Sequence, residues 1–376
     1  MKPLEGYTVL DLSHYLAGPS AALRLADLGA TVIKVERPGT GEPYRRAPLN
    51  DLKIDGENYL FHIVNRNKDS IAIDLKHPQE RKKLDALIAT ADVVLINFRP
   101  AVTKKLELDY EHIRRINPSI IYAEITGYGK DNDWENLPGQ DLLVQSMAGI
   151  GYLNGNSDQP PMVFGLSLAD QFAGQHLVQG ILAALYRRAR TGKGAQVEVS
   201  LMETIMDVQF EAFTTYLNDG LHLPERCAVN NANVCQGAPY GIYETKDRYL
   251  ALAMGSILRL GELLECDALS AYTDPNEWFT KRDEIKQILC GHLKTRTTRE
   301  WLDRLEPADI WCADVLNWEE LMHCDGFAAL DMLQEIPLAS GGSFTTTRCP
   351  ITIDGNRFTS EKPAPSVGKD NGTYCI

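Results

Sequence analysis

Residues 7–36, YTVLDLSHYLAGPSAALRLADLGATVIKVE, decide the fold. The two ends, Tyr7-Thr-Val-Leu-Asp-Leu12 and Thr31-Val-Ile-Lys-Val-Glu36, are short β-branched and apolar runs, suited to buried strands. Between them, residues 19–28 carry apolar side chains at helical spacing. Two strands joined by a helical crossover lie parallel, so the stretch predicts one turn of a doubly wound layer. The pattern continues outward. Residues 70–75 (Ser-Ile-Ala-Ile-Asp-Leu), 92–97 (Asp-Val-Val-Leu-Ile-Asn) and 119–125 read as strands, and 78–90 and 110–116 as helices. The expected fold is α/β, with a Rossmann-like parallel sheet in a large domain.

In such a sheet a phosphate meets the turn after the first strand, where backbone N–H groups and a helix start face the anion. Here that turn is Leu12-Ser-His-Tyr-Leu-Ala-Gly-Pro19 and lacks G-x-G-x-x-G, which weakens a dinucleotide reading. The second strand ends in Glu36-Arg37. Glu36 would suit the ribose of NAD, whereas Arg37 suits a phosphorylated ribose. A nicotinamide-dependent dehydrogenase is therefore an alternative from another class.

A second organising stretch is 163–201, VFGLSLADQFAGQHLVQGILAALYRRARTGKGAQVEVSL. From Phe172 the apolar residues recur at helical spacing, and the helix is expected to stop at Arg190-Thr-Gly-Lys-Gly194, with cations in its last turn and glycines past its end. Asp170 stands between Gly165 and Gly174 at the mouth of this helix. The dipole there favours the anion, which suits a helix cap and also suits a nucleophile.

The runs Gly165-Leu-Ser-Leu-Ala-Asp170, Gly180-Ile-Leu-Ala-Ala-Leu185 and Thr191-Gly-Lys-Gly-Ala-Gln-Val-Glu-Val-Ser200 resemble the central signature of the family III coenzyme A transferases. That family includes carnitine-, formate/oxalate- and benzylsuccinate-type enzymes and the related α-methylacyl-CoA racemases, and the likeness extends from Leu4 to about Gly372. It implies transfer of coenzyme A from an acyl-CoA to a carboxylic acid, through an aspartyl anhydride and an aspartyl-CoA thioester on Asp170. It places Leu16, Ala17, Arg37, Ile73, Asn97, Phe98, Arg99 and Lys105 at coenzyme-binding positions. Tyr59, Gln140 and Asp141 fall near the acyl end. Racemases carry a histidine as one acid/base group where this chain has Gln140, and an amide cannot shuttle a proton at neutral pH. A racemase is the disfavoured alternative within the family. His176 reads as a histidine on a helix face.

Composition agrees with a cytoplasmic enzyme. The 376 residues are 44% apolar and 24% charged, with no apolar segment behind Lys2 and no run long enough to span a membrane. The net charge of −13 argues against nucleic acid, but residues 1–130 hold 19 Lys+Arg against 17 Asp+Glu, so an anionic ligand suits the first third. All eight cysteines lie from Cys227 onward without metal-ligand spacing, so reduced thiols and no metal are expected. No permanently bound cofactor is implied, only coenzyme A and acyl-CoA as substrates.

The expected domains are 1–200, large and α/β; 201–224, a linking helix; 225–330, a smaller α+β domain; and 331–376, a return to the large one. In the small domain residues 241–245 and 249–254 read as a strand pair, and Trp278, Trp301, Trp311 and Trp318 as its core. The resemblance implies a homodimer of interlocked rings, with a short Ala253-Met-Gly-Ser256 loop in place of a glycine-rich lid.

Overall fold

The computed structural model describes residues 2–48, 52–338 and 340–376. Its centre is a six-stranded sheet: β1 (Thr8–Asp11), β2 (Thr31–Glu36), β3 (Asp69–Ala72), β4 (Val93–Ile96), β5 (Ile121–Thr126) and β6 (Ala195–Ser200). The strands lie in the order β3-β2-β1-β4-β5-β6, and every neighbouring pair is parallel. This is the order of doubly wound nucleotide-binding sheets, and it reverses between β1 and β4. The sequence reading did not count β6 as a strand, although Ala195-Gln-Val-Glu-Val-Ser alternates as an edge strand should.

The strands form where they do because both faces of the sheet are covered. All four residues of β4 are buried, as are Val32 to Glu36 of β2. Leu10, Ile33, Val35, Ile71, Val94 and Ile96 pack with Leu84 and Ile88 of α3 (Pro78–Thr90) and Ile113 of α5 (Tyr110–Ile116) into one core. Each such side chain contributes about 1.5–3 kcal/mol by leaving water.

α1 (Ala17–Asp27) follows β1, and α2 (Tyr59–Asn65) and α4 (Pro100–Lys105) begin the chain segments leading to β3 and α5. α6 (Asp141–Met147) precedes the long α7 (Leu168–Thr191). α7 ends as expected, on Gly192 in the left-handed region at φ 71°. It starts four residues before the apolar periodicity does. α1 crosses α7 at Gly174, where a Cβ would come within 2.6 Å of Ser20 Oγ and 2.8 Å of the Ala17 carbonyl. Only glycine permits that approach.

The chain divides into two compact units, Met1–Val144 with Ser167–Ile205 and Leu330–Ile376, and Gln145–Leu166 with Met206–Ala329. Residues 145–166 thus leave the span read as a single domain and join the second unit. That unit holds an antiparallel sheet of β7 (Gly241–Glu244), β8 (Tyr249–Leu252) and the unanticipated β9 (Cys312–Asp314). Its core closes around Trp301, which is wholly buried and donates its Nε1–H to the Leu293 carbonyl at 2.8 Å. Trp311 and Trp318 are exposed instead, so the reading of four core tryptophans is corrected. Likewise the single linking helix proves to be two, Leu201–Val208 and Phe210–Asn218, broken at Gln209. Among the described residues no helix is long and apolar enough to cross a membrane.

Candidate active site

The strand order reverses between β1 and β4, and in sheets of this kind ligands sit beyond the carboxyl ends of such strands. The two turns there are clasped together. Asn97 Oδ1 accepts the His14 N–H at 2.8 Å, and Asn97 Nδ2 donates to the His14 carbonyl at 2.8 Å. The His14 ring lies against Phe98, with centroids 4.8 Å apart. Burial, reinforced by Lys34, pulls the imidazole down to about 4, so it stays neutral. Asn97 and Phe98 therefore hold the turns after β1 and β4 together.

Beneath these turns lies a buried ion network. Asp11, at the end of β1, meets Lys68 Nζ at 2.8 Å and Lys34 Nζ at 3.7 Å, and accepts hydrogen bonds from the Ser13 N–H and hydroxyl. Burial would raise this carboxyl, but the two lysines and the hydrogen bonds more than offset it and hold it well below the usual range. Lys68 spends its remaining protons on the Pro19 carbonyl and Asn65 Oδ1. Burial, opposed by Asp11, leaves it at about 8.

Glu36 is equally committed. Arg45 grips both its oxygens at 2.8 and 2.6 Å, while Ser70 Oγ and the Glu42 N–H fill the remaining acceptor positions. Arg45 also pairs with Glu57 at 2.7 Å and stacks on Phe61 at 3.7 Å. With four donors on it, and at 2% exposure, Glu36 has nothing to offer a ribose hydroxyl. This removes the contact on which a nicotinamide reading depended.

Asp170 is the third residue of α7, and it is not the cap of that helix. Ser167 stands at the capping position and makes no side-chain cap bond. The acceptor comes from elsewhere: Asp141 Oδ1 takes the N–H groups of Ala169 at 2.7 Å and Asp170 at 3.2 Å. Asp141 is brought there by two glycines whose backbones pack directly against each other. Gly127 follows β5 and Gly139 precedes α6, and a Cβ on either would lie about 2.5 Å from the other's Cα. A dehydrated carboxylate beside a second carboxylate resists ionisation. Burial, then the charge of Asp141, lifts Asp170 from 3.8 to about 7. The pull of the helix dipole toward the anion is therefore outweighed, by burial and by the Asp141 carboxylate already seated on the first N–H groups of the helix.

One tyrosine lies within electrostatic reach of this carboxylate. Tyr44, in the turn Pro43–Arg46, is buried, and its burial together with the charges of Asp170 and Glu42 and the nearby Tyr59 pushes its phenol up to about 12. It remains a hydrogen-bond donor at any working pH. Tyr15 meets Tyr44 edge-on at 5.8 Å and is held at φ 65°, a left-handed conformation uncommon for a tyrosine. Neither Tyr15 nor Tyr44 was singled out from sequence, since nothing in its local pattern marks it.

The other residues named from sequence fall into two groups. Arg37 follows β2 and Arg99 precedes α4, both exposed on turns beyond the carboxyl ends of strands, and Lys105 is exposed at the end of α4. Leu16 is half-buried at the start of α1, Ala17 is buried, and Gln140 is exposed just before α6. Ile73 differs from expectation: its side chain lies in the core and its N–H is given to the Glu36 carbonyl at 2.8 Å, so it can meet a coenzyme only through its backbone. His176 sits on the face of α7 with its ring 3.4 Å from Thr204 Oγ1.

A parallel sheet whose order reverses between β1 and β4, with a half-buried carboxylate at a helix start, defines a doubly wound α/β protein of the nucleotide-binding type. The family model for CoA-transferase family III matches residues 4–371, and the chain belongs to that family. A succinate–glutarate CoA-transferase of Agrobacterium fabrum is 32% identical over 377 residues, covering 98% of this chain and 93% of the relative. An acetyl-CoA:oxalate CoA-transferase of Acetobacter aceti is 32% identical, covering 97% and 93%. Among solved structures, a mutant of Rv3272 from Mycobacterium tuberculosis superposes with a TM-score of 0.87 at 28% identity, over 100% of this chain and 99% of that one. A CaiB/BaiF family protein from Brucella suis gives 0.83 at 29%, over 99% and 98%. The protein is a CoA-transferase enzyme, moving coenzyme A between an acyl-CoA and a carboxylate.

Proposed function

We propose that Asp170 is the covalent nucleophile of this transfer. The observation that carries the reading is its placement: a half-buried carboxylate in the first turn of α7, beside a like charge and within electrostatic reach of a protonated tyrosine. An Asp170 oxygen attacks the thioester carbonyl, the C–S bond breaks, and coenzyme A leaves as the thiolate. The thiolate then attacks the aspartyl carbonyl of the anhydride, releasing the donor acid and forming aspartyl-CoA. The acceptor carboxylate repeats the two steps in reverse, and Asp170 is regenerated. Tyr44, uncharged and donating, is suited to meet an oxyanion in these steps.

Arg37, Arg99 and Lys105 are proposed to meet the coenzyme's phosphates, with Leu16, Ala17 and the Ile73 backbone against its body. Tyr59 and Gln140 would border the acyl group. The acceptor is proposed to be a short dicarboxylic acid, as the names of relatives acting on succinate, glutarate and oxalate suggest. A homodimer is also proposed. The Phe210–Asn218 helix buries none of its residues and exposes Phe210, Phe213 and Leu217, an apolar face that a second copy would cover.

The test is to mix enzyme with acyl-CoA, quench with hydroxylamine, and map the modified peptide by mass spectrometry. An adduct on Asp170 is expected. One confined to Asp141 or Glu198 would overturn the assignment.

A further inference from the structure

We propose that Asp141 is a positioning residue for the transfer: it fixes the start of α7 through two backbone N–H groups and sets its own charge against Asp170, so that each step discharging Asp170 is favoured. The proposal rests on Asp170 being the nucleophile. Its first support is geometric. The N–H groups of Ala169 and Asp170 are donors with which the start of α7 can hold an anion, and Asp141 Oδ1 takes both, at 2.7 and 3.2 Å, from 28 and 29 residues away. A carboxylate third in a helix ordinarily enjoys that positive end itself. Here Asp170 is denied it.

The second support is rigidity. Asp141 comes two residues after Gly139, whose backbone abuts that of Gly127, so its own backbone has little room to withdraw from α7. The third is the surroundings of Asp170. The charge that acts on it is that of Asp141 of α6, and Tyr44 of the turn Pro43–Arg46 in turn feels the charge of Asp170; neither is a cation. α1, packed along α7, brings Ala17, Ser20 and Ala21 to the crossing, and none of these is charged.

Acylation and protonation discharge the same oxygen pair. When an Asp170 oxygen bonds to the acyl carbon and coenzyme A leaves as the thiolate, the carboxylate becomes a neutral anhydride and its repulsion with Asp141 ends. The aspartyl-CoA thioester that follows is neutral as well. Burial, with the repulsion from Asp141 added to it, keeps a proton on Asp170 up to about pH 7, and both therefore favour the two covalent states over the free enzyme. A carboxylate of raised basicity is also the stronger nucleophile.

The rate and extent of covalent labelling of Asp170 by acyl-CoA, followed by rapid quench and mass spectrometry over roughly pH 5–9, separate this role from a purely structural one. In the wild type the rate should climb about tenfold per pH unit and level near pH 7. Asp141→Asn keeps an oxygen for the two N–H groups but not the charge. Its rate should level at least about one pH unit lower, with roughly tenfold less aspartyl-CoA at equilibrium. Asp141→Ala should in addition lose hydrogen-exchange protection in the first turn of α7. An Asp141→Asn enzyme labelled on Asp170 with an unchanged inflection and an unchanged covalent fraction overturns this role alone. Absence of any adduct on Asp170 in the wild type overturns the nucleophile assignment and this role together.

Discussion

Asp11 and Asp170 lie in the same unit, and for both the largest influence on the carboxyl is removal from water, yet they end in opposite states. Asp11 meets two lysines and two donors from Ser13, and is held charged well below the ordinary range. Asp170 meets another carboxylate and rises to about 7. Burial raises both carboxyls; in Asp11 the lysines and hydrogen bonds overturn it, and in Asp170 a like charge adds to it. Where cations are supplied the carboxylate stays charged, and where a like charge is supplied it keeps its proton to higher pH.

The contrast is tested most severely by removing each carboxylate's defining feature. Asp170→Asn should reduce transfer by on the order of 10³-fold or more, with coenzyme A binding and the far-UV circular dichroism spectrum retained, because an amide cannot form the anhydride. Near wild-type turnover in a coupled transfer assay would erase the distinction between the two aspartates.

Lys68→Met should instead strike stability. It leaves Asp11 buried with Lys34 at 3.7 Å as its remaining cation, and a broken buried pair costs about 3–5 kcal/mol. Urea unfolding midpoints of the two proteins measure this, and a loss below about 1 kcal/mol would mean that the network is not what holds the β1 turn.

A finer test concerns pH. The folded state raises Asp170 above its ordinary value of 3.8, so it binds a proton more tightly folded than unfolded. Wild-type stability from this group is then full below about pH 4 and is lost as pH rises through about 7. Asp170→Asn, being neutral throughout, should be more stable than wild type at pH 8 by roughly 1–4 kcal/mol, with the gap closing by pH 4. A pH-independent difference in urea midpoints would show that Asp170 is not held against its charge.

The smallest effect should come from packing that touches neither charge. Gly174→Ala places a methyl 2.6 Å from Ser20 Oγ at the α1–α7 crossing, and should destabilise by about 1–3 kcal/mol. Unlike the pH effect, this loss should be constant from pH 5 to 8, which thermal melts at the two values can check.

The sequence by itself determined the parallel sheet, because short β-branched runs alternating with helical periodicity admit little else. It also marked Asp170 as the acid at the head of a long helix and Gly192 as that helix's stop, both being local signals. It brought out the coenzyme-side candidates only as a spaced set of motifs. What the tertiary structure decided is which groups stand beside which. No period or local motif joins Asp141 to Asp170 across 29 residues, Arg45 to Glu36, Lys68 to Asp11, or Tyr44 to Asp170. A side chain's ionisation depends on the few ångströms around it, and those neighbours come from distant strands and turns that only the folded sheet collects.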